Sequence, residues 1–458
     1  KVLFIKLTNT LETYQNLLVG KISDTDRKKI TDALGQSGSD YRELIYAQGF
    51  SGKKTSLSLH QVSNFIDLSL RYFEHAIQAN QRPDHLYNAY NILTLNSDGI
   101  SISNLSEMLE GQVAAISSGF LSSEETLVLL DALRNSALYR ADQNSYLLYP
   151  NKELPRFLEK NVIPSALIEQ SKLLKKLVAD NNLQIANKDI DGTYHFNGNF
   201  RNANDLIAAL DDLKSSEYEP LVKIESPSIL EIFERVFNHK AFTGRSGTFF
   251  AYEGLGSIYW HMVSKLHLAV QETCIKAYKR QDNQEIIYRL TEHFYEIGKG
   301  IGIHKSPKLY GAFPTDPYSH TPQHRGAQQP GMTGQVKEDI LVRFEELGIF
   351  VNKGMLNFRP YLLSKNLLLK KPETIKYVNV QNEFRLLDLP NSSLCFTYCQ
   401  VPVIYQIAEV EKLEVRYSDG KTKLFNSFSL DFDTSQQIFN RNGEVEQILV
   451  SMPETNIV

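Results

Sequence analysis

The sequence predicts a mostly helical protein with a β-rich C-terminal part: an (α/α) toroid-like helical region over residues 1–350, then an antiparallel β-sandwich over residues 351–458. Three observations lead to this fold class. Apolar residues recur mostly at helical spacing from Leu11 to about Phe350. Beyond Phe350 the pattern changes to short β-branched and aromatic runs. These runs follow the helices instead of alternating with them, which favours segregated domains over an alternating α/β sheet.

The helical spacing predicts several individual helices, separated by Gly, Asn, Pro and Ser clusters. Some begin with good N-caps, as in the sequence SSEE at Ser122–Glu125, where a hydroxyl can accept from free first-turn amides. The predicted helices are Val62–Asn80, Leu105–Ser117, Ser123–Asn135, Ser165–Asp180, Asn204–Leu213, Ser228–Asn238, Gly256–Tyr278, Glu285–Gly298 and Gly334–Leu347.

The C-terminal runs include IKYVNV, LCFTYCQVPVIYQI and KLEVRYSDGKTKLF. They are rich in β-branched and aromatic residues, which favour strands. Within the last run, Ser418–Gly420 reads SDG and predicts a hairpin turn.

Composition is that of an ordinary globular protein. The chain has 458 residues, of which 42% are hydrophobic and 22% charged, and its length suits two or three domains. Its formal net charge of −4 and the absence of a Lys/Arg run argue against a nucleic-acid partner. No stretch approaches the roughly 20 apolar residues of a membrane span, so we expect no membrane partner.

Cysteine usage suggests a reducing compartment. Cys274, Cys395 and Cys399 form an odd set without metal-type companions, so the sequence indicates neither a disulfide framework nor a metal site. The start of the chain lacks the order of a signal peptide. We therefore expect a cytoplasmic protein. Because the first residue is Lys1, we also expect a processed chain or a fragment.

The least ordinary stretch is Tyr310–Gln335, which reads YGAFPTDPYSHTPQHRGAQQPGMTGQ. It places histidines, an aspartate, an arginine and glutamines in one long loop, and such loops often line a site. The alternative interpretation is a solvated connector held by local turns. The helix predicted after it has a free N-terminus beside Thr333, Gly334 and Gln335, a natural place to hold an anion.

A second cluster, Thr243–His261, reads TGRSGTFFAYEGLGSIYWH. It combines Arg245, Glu253, Trp260 and His261, and a sugar site needs carboxylate, amide and aromatic groups together. The alternative is a Gly-rich turn before a buried helix, with Trp260 and His261 in the core.

Two further polar, aromatic loops lie earlier in the chain. Asn80–Asn91 carries Asp84 after Pro83, and Leu138–Phe157 carries Asp142 and Gln143. Each loop alone is most often a turn. If the helices form a ring, we expect the loops at Asn80–Asn91, Thr243–His261 and Tyr310–Gln335 to converge on one cleft.

Taken in order, these segments resemble inverting disaccharide phosphorylases of the cellobiose and chitobiose phosphorylase type, or related longer oligoglucan phosphorylases. In that family a loop with an acidic Asp precedes a helix that opens with Glu, and here Asp84 in RPDHLYNAYN precedes Glu107 and Glu110 in SEMLEGQVAAI. Downstream, a Glu-and-Gly turn ends in an aromatic residue and a phosphate-binding His, as Glu253 and His261 do in YEGLGSIYWH. The sequence MTGQ stands where the family has a turn that helps to hold phosphate.

The resemblance covers roughly residues 60–365, and the C-terminal β region also fits the family. The sequence departs from the family in three ways. The tryptophan-rich acid loop is absent, since Trp260 is the single tryptophan. An arginine that the family supplies from upstream is not identified. The N-terminal β domain is missing, which implies that the chain is the C-terminal part of a larger protein.

The resemblance implies an inverting glycoside phosphorylase that cleaves a β-glucoside-type oligosaccharide with phosphate to give a sugar 1-phosphate. Asp84 would protonate the glycosidic oxygen, and phosphate would attack the anomeric carbon. The implied phosphate-binding residues are His261, Thr333, Gly334, Gln335 and Arg245. The implied substrate-binding residues are Tyr87, Glu107, Glu253, Trp260, Asp316, His320 and Gln328. Apart from inorganic phosphate as a co-substrate, no cofactor is expected, and a homodimer is a further expectation.

Two alternatives remain at this stage. An inverting hydrolase on the same fold would use water, with Glu253 or Asp316 as the general base. A non-catalytic carbohydrate-binding module would need none of the named carboxylates.

Asp84 itself has two interpretations. A general acid needs a raised pKa, and Leu86, Tyr87 and Tyr90 are candidate apolar walls. A turn aspartate after Pro83 would instead accept a backbone hydrogen bond. The next carboxylates to consider are Asp142, Glu253 and Asp316.

Overall fold

The computed structural model of the chain describes residues 1–105, 107–150, 155–239, 258–301, 305–306, 320–321 and 333–458, with the backbone alone at 320–321 and 333–336. Contacts divide the chain into two compact units. Unit 1 comprises Lys1–Leu148 and Ser257–Val458, and unit 2 comprises Tyr149–Gly256.

Helices dominate the first part of unit 1, as the apolar spacing predicts. The helices before unit 2 are α1 (Val2–Tyr14), α2 (Asp24–Gln48), α3 (Leu59–Ala79), α4 (Leu109–Ser117) and α5 (Ser123–Arg134). Short antiparallel hairpins lie between them: β1 (Asn91–Leu95) with β2 (Ile100–Asn104), and β3 (Tyr139–Arg140) with β4 (Ser145–Tyr146). The predicted N-cap at Ser122 is confirmed, because its hydroxyl accepts from the Glu125 amide while the Glu125 carboxylate accepts from the Ser122 amide.

Unit 2 is a small helical body with its own core. Its elements are α6 (Phe157–Lys160), α7 (Ser165–Gln170), α8 (Lys172–Ala179), β5 (Ala186–Lys188), β6 (Tyr194–Phe196), α9 (Ala203–Leu213) and α10 (Glu219–Phe237). The prediction of one helix over Ser165–Asp180 is wrong, because Ser171 ends α7 and caps α8 by accepting from the Leu174 amide. The predicted start at Ser228 is also wrong, because α10 continues through Pro227.

Unit 1 resumes with β7 (Ile258–Tyr259), α11 (Trp260–Arg280), α12 (Gln284–Gly300), β8 (His320–Thr321) and α13 (Thr333–Glu346). Helix α11 packs against α4, α12 and α13 and buries residues on most of its faces. A helix that is apolar on most faces is a central core helix. The first turns of α11 are therefore enclosed by neighbouring elements.

The change from helix to strand falls where the sequence predicts it, since α13 ends at Glu346 and β9 begins at Ile349. The following elements are β9 (Ile349–Asn352), β10 (Met355–Phe358), β11 (Glu373–Val378), β12 (Phe384–Leu389), β13 (Ser393–Tyr398), β14 (Val401–Ile407), β15 (Lys412–Tyr417), β16 (Thr422–Phe425), α14 (Phe432–Phe439) and β17 (Val445–Met452).

Five of these strands form one sheet in the order β13-β14-β17-β15-β16. The strictly antiparallel expectation is wrong for one pair, because β14 and β17 run parallel. A parallel pair needs a long connection, and β15, β16 and α14 supply it. The predicted turn at Ser418–Gly420 is confirmed: it joins β15 to β16, and Gly420 has a positive φ of 82°.

No helix in the described part of the chain combines the length and apolar character needed to cross a membrane.

Candidate functional site

Three of the polar stretches singled out in the sequence meet, in their described parts, at the start of α11. Strand β7 pairs with β8 and places Tyr259 opposite His320, so the described parts of Thr243–His261 and Tyr310–Gln335 are adjacent. Met262 and Lys265, in the first turns of α11, line a groove together with Tyr87 and Tyr90 of the Asn80–Asn91 loop.

The groove has a volume of about 870 Å³ and lies between α3, the loop after it, α4 and α11. Its walls are mostly apolar and aromatic, and a few polar side chains project into it, which is the usual make-up of a ligand pocket. The polar lining residues include Glu74, Asn80, Asn88, Glu110 and Lys265. The Tyr90 hydroxyl donates to the Glu110 carboxylate, so this carboxylate is fixed at the groove wall.

Asp84 is held by an arginine two residues before it. The Arg82 guanidinium donates to Asp84 Oδ2 at 2.7 Å from Nη2 and to Oδ1 at 3.0 Å from Nε. The Leu86 amide donates to Asp84 Oδ1 at 3.2 Å, which matches the turn-aspartate interpretation. The Asp84 side chain is 48% exposed.

The expected rise in the pKa of Asp84 is therefore wrong for this structure. The Arg82 hydrogen bonds hold its pKa below the usual range of an aspartate and outweigh the effect of partial burial. Arg82 also lies 3.4 Å from the predicted substrate residue Glu107, measured from Nη1 to Oε2. Among the described groove residues, Tyr87 is the one from the implied substrate-binding set.

His261 lies between a phenol and a buried carboxylate. Its Nδ1 is 3.2 Å from the Tyr259 hydroxyl, and its Nε2 is 3.8 Å from Oε1 of Glu338 in the second turn of α13. Glu338 is only 2% exposed. Burial lowers the pKa of His261, and Lys265 adds to this while Glu338 opposes it. The lowered pKa favours the neutral imidazole near neutral pH.

A separate polar cluster lies beside Trp260. The 3₁₀ turn Ala141–Gln143 joins β3 to β4, and Arg140, the last residue of β3, donates from Nε to Asp142 Oδ1 at 2.9 Å. Lys305 Nζ donates to Gln143 Oε1 at 3.1 Å and lies 4.6 Å from the centroid of the Trp260 ring. Trp260 is completely buried, so it is a core residue here and its ring contacts the Lys305 ammonium instead of an open cleft.

Several site residues predicted from the sequence lie outside the part of the chain that the structure describes. Arg245, Glu253, Asp316 and Gln328 are not among the described residues, and His320, Thr333, Gly334 and Gln335 are described by their backbone alone. The backbone of Thr333–Gln335 forms the first turn of α13, as predicted for a helix N-terminus.

Lys305, Glu338 and the role of Arg82 were not predicted from the sequence. Nothing in the local sequence distinguishes Lys305 or Glu338 from exposed charged residues, because their burial depends on contacts with distant elements. The pairing of Arg82 with Asp84 has a local signal, since both belong to the same short turn. Among the described residues, no three His, Cys, Asp or Glu side chains converge as metal ligands.

One comparison with known proteins matches part of the chain to a family model. Residues 154–240 match the family model described as GH149 phosphorylase insertion domain 2, and this range falls within unit 2. The match supports a relation to a glycoside phosphorylase family and does not point to the cellobiose or chitobiose type. A search of curated proteins gave no match.

Proposed function

We propose that the chain works as an inverting glycoside phosphorylase that cleaves a β-glucoside-type oligosaccharide with inorganic phosphate and yields a sugar 1-phosphate. The observation that carries this proposal is the match of residues 154–240 to a phosphorylase insertion domain. The proposed architecture is an (α/α) toroid of helices followed by a β-sandwich. The groove beside α11 supports the proposal, because its mixture of aromatic, carboxylate and amide groups suits a sugar.

Phosphate is proposed to bind near His261 and the first turn of α13. His261 contacts α13 through Glu338 in its second turn. The free amides of a helix N-terminus attract an anion, and a protonated imidazole adds positive charge. Arg245 is the proposed additional cation.

The proposed acid is Asp84, and its contacts set a condition on that role. In the free protein the Arg82 hydrogen bonds favour the ionised carboxylate. A general acid must carry a proton, so substrate binding has to move Arg82 away from Asp84. Glu107 offers an alternative partner for Arg82 at 3.4 Å. Asp142 is the competing acid, because its turn lies beside the start of α11 through the contact of Lys305 with Gln143 and Trp260.

The proposal is tested by incubating the protein with α-D-glucose 1-phosphate and a panel of gluco-oligosaccharide acceptors and measuring phosphate release. In the reverse direction, NMR of the product anomer checks inversion. Asp84→Asn is expected to lower the rate by about 10²–10⁴-fold on natural linkages and much less on activated aryl glycosides, which need little protonation. Asp142→Asn is the competing variant, and Asp98→Asn in the exposed β1–β2 turn is the matched control. If Asp142→Asn shows this pattern and Asp84→Asn does not, Asp142 replaces Asp84.

One observation favours a second candidate, an inverting hydrolase. Glu338 is a buried carboxylate 3.8 Å from His261 Nε2, and its Oε2 has no hydrogen-bond partner among the described residues. A carboxylate in this position could activate a water molecule. Release of reducing sugar at the same rate with and without phosphate would favour the hydrolase. Sugar binding without turnover under either condition would favour a carbohydrate-binding module.

A further inference from the structure

Lys305 is a buried cation between two distant parts of the chain. It follows α12 and is 6% exposed. Its ammonium donates to Gln143 Oε1 at 3.1 Å and lies 4.6 Å from the Trp260 ring centroid. Gln143 belongs to the turn between β3 and β4, and Trp260 is the first residue of α11. A single side chain therefore connects the turn that carries Asp142 to the helix that carries His261.

The end of α12 is also packed closely against this turn. Gly300 ends α12, and a Cβ atom built there would lie 2.0 Å from the carbonyl oxygen of Asn144. Any larger residue would push α12 and the turn apart. Asn144 follows the turn in a left-handed conformation with φ 47° and ψ 44°, which fixes the direction in which the chain enters β4.

A charged lysine in this environment is costly for the fold. Burial, the largest cause, and the nearby Arg140 together lower the pKa of Lys305 to about 7 against the opposing effect of Asp142. A buried ammonium would be replaced easily by an apolar side chain if it served packing alone. Perturbed pKa values of this kind are concentrated at functional sites.

We propose that Lys305 is a positioning residue: its ammonium holds the Ala141–Gln143 turn against Trp260 and thereby sets the placement of Asp142 and Gln143 relative to His261. The cation interacts with the face of the indole and with the amide oxygen of Gln143, so it defines the separation of the two elements. The reaction served by this placement is the proposed glycoside phosphorolysis, on which the functional part of the inference rests.

The arrangement responds to pH because the contact with the ring depends on charge. Below about pH 7 Lys305 carries its proton and makes both contacts. Above this pH the neutral amine loses the attraction to the indole face. The titratable and charged groups facing Lys305 from the described elements are Arg140 and Asp142, and His261 is the titratable neighbour of Trp260 along the chain.

Trp260 provides an assay that does not depend on activity, since it is the only tryptophan in the sequence. Its emission in the wild-type protein is expected to change with pH, with a midpoint within about one unit of pH 7. Lys305→Met and Lys305→Arg should both abolish this transition, because methionine does not titrate and arginine keeps its charge. Lys299→Met, at an exposed position near the end of α12, should leave it intact.

Two results in this assay would overturn the inference. One is constant wild-type emission from pH 5.5 to 9 while the far-UV circular dichroism stays native. The other is a transition that persists in Lys305→Met or Lys305→Arg, since it would then come from another titratable group, such as His261 or His304, the residue before Lys305. If neither variant folds, Gln143→Met gives the same test: removing the acceptor should shift the midpoint to lower pH, and an unchanged midpoint rejects the contact.

Activity separates a positioning role from packing. Lys305→Met should lose about 10²-fold in the rate of phosphate release from α-D-glucose 1-phosphate. Lys305→Arg should recover part of this rate and keep it to higher pH than the wild type. An arginine variant with the same alkaline decline as the wild type would refute the positioning role. If the wild type has no phosphorylase activity while Trp260 emission behaves as expected, the proposed function fails and the contact stands.

Discussion

Replacing Lys305 with methionine tests the energetics of the buried ammonium. Methionine has a similar length and is apolar, so it can occupy the same space beside Trp260 without carrying a charge. The change also removes the donor to Gln143 Oε1. The prediction is that Lys305→Met stabilises unit 1 at pH 6 and that this advantage disappears by pH 9.

The magnitude follows from the pKa. A fall from the ordinary value of 10.5 to about 7 corresponds to about 5 kcal/mol at 1.36 kcal/mol per pH unit. Below pH 7 lysine is charged in both the folded and unfolded states, so the folded state bears the whole cost. Between pH 7 and 10.5 the folded state has released its proton and the unfolded state has not, so wild-type stability rises with pH.

The loss of the donor to Gln143 reduces the gain. Leaving a buried acceptor without its donor costs about 1–3 kcal/mol. The net stabilisation by Lys305→Met is then about 2–4 kcal/mol at pH 6 and close to zero at pH 9. The wild type itself should gain about 3 kcal/mol between these two pH values from this residue.

Urea unfolding at pH 6, 7, 8 and 9 measures these differences. Trp260 emission reports on unit 1 alone, because unit 2 has no tryptophan. Circular dichroism gives an independent midpoint. Lys299→Met serves as the control, with an expected difference near zero at every pH. A stability difference between wild type and Lys305→Met that does not change from pH 6 to 9, or a variant that is least stable at pH 6, would refute the reasoning.

Two other predictions concern the same unit. Gly300→Ala should destabilise unit 1 by about 1–3 kcal/mol in urea unfolding, because its Cβ would meet the Asn144 carbonyl oxygen. The control is Gly35→Ala in α2, where an added Cβ meets no atom within 4 Å and should stabilise the protein by up to about 1 kcal/mol. Equal effects of the two substitutions would contradict the packing argument. Arg82→Met should raise the pKa of Asp84 toward its ordinary range, because the largest cause of its depression is the Arg82 hydrogen bond. The contribution of Asp84 to stability should then shrink. In the wild type this contribution is present above the unfolded pKa and is lost as pH falls through the lower folded pKa. Carboxyl ¹³C NMR titration checks this, and an unchanged pKa would rule out Arg82 as the cause.

The sequence determined most of the helices. Helix α5 was predicted over Ser123–Asn135 and spans Ser123–Arg134, and α12 was predicted over Glu285–Gly298 and spans Gln284–Gly300. These segments have strong apolar periodicity and local caps, so the information that forms them lies within one or two turns. The turn at Ser418–Gly420 was predictable for the same reason, because glycine is needed where φ is positive.

Where the sequence carries two competing local signals, only the tertiary structure decided which element forms. Proline at position 227 predicts a break, yet α10 continues through it, because packing in the unit 2 core holds the helix on both sides. The hairpin of β1 with β2 was not predicted, although Ile100–Ser103 alternates apolar and polar residues, because each strand has only five residues and lies between two predicted helices. Its formation depends on pairing between strands, which a single segment does not reveal.

The candidate site was also predictable from the sequence only in part. The sequence identified the polar loops and the aromatic and histidine residues at the start of α11, since those residue types are unusual together. It did not determine charge states. Asp84 is paired with Arg82, and Lys305 is buried against Trp260 and Gln143. The proton affinity of a side chain depends on the groups that folding brings within a few ångströms of it, and for Lys305 those groups lie in parts of the chain far from it in sequence.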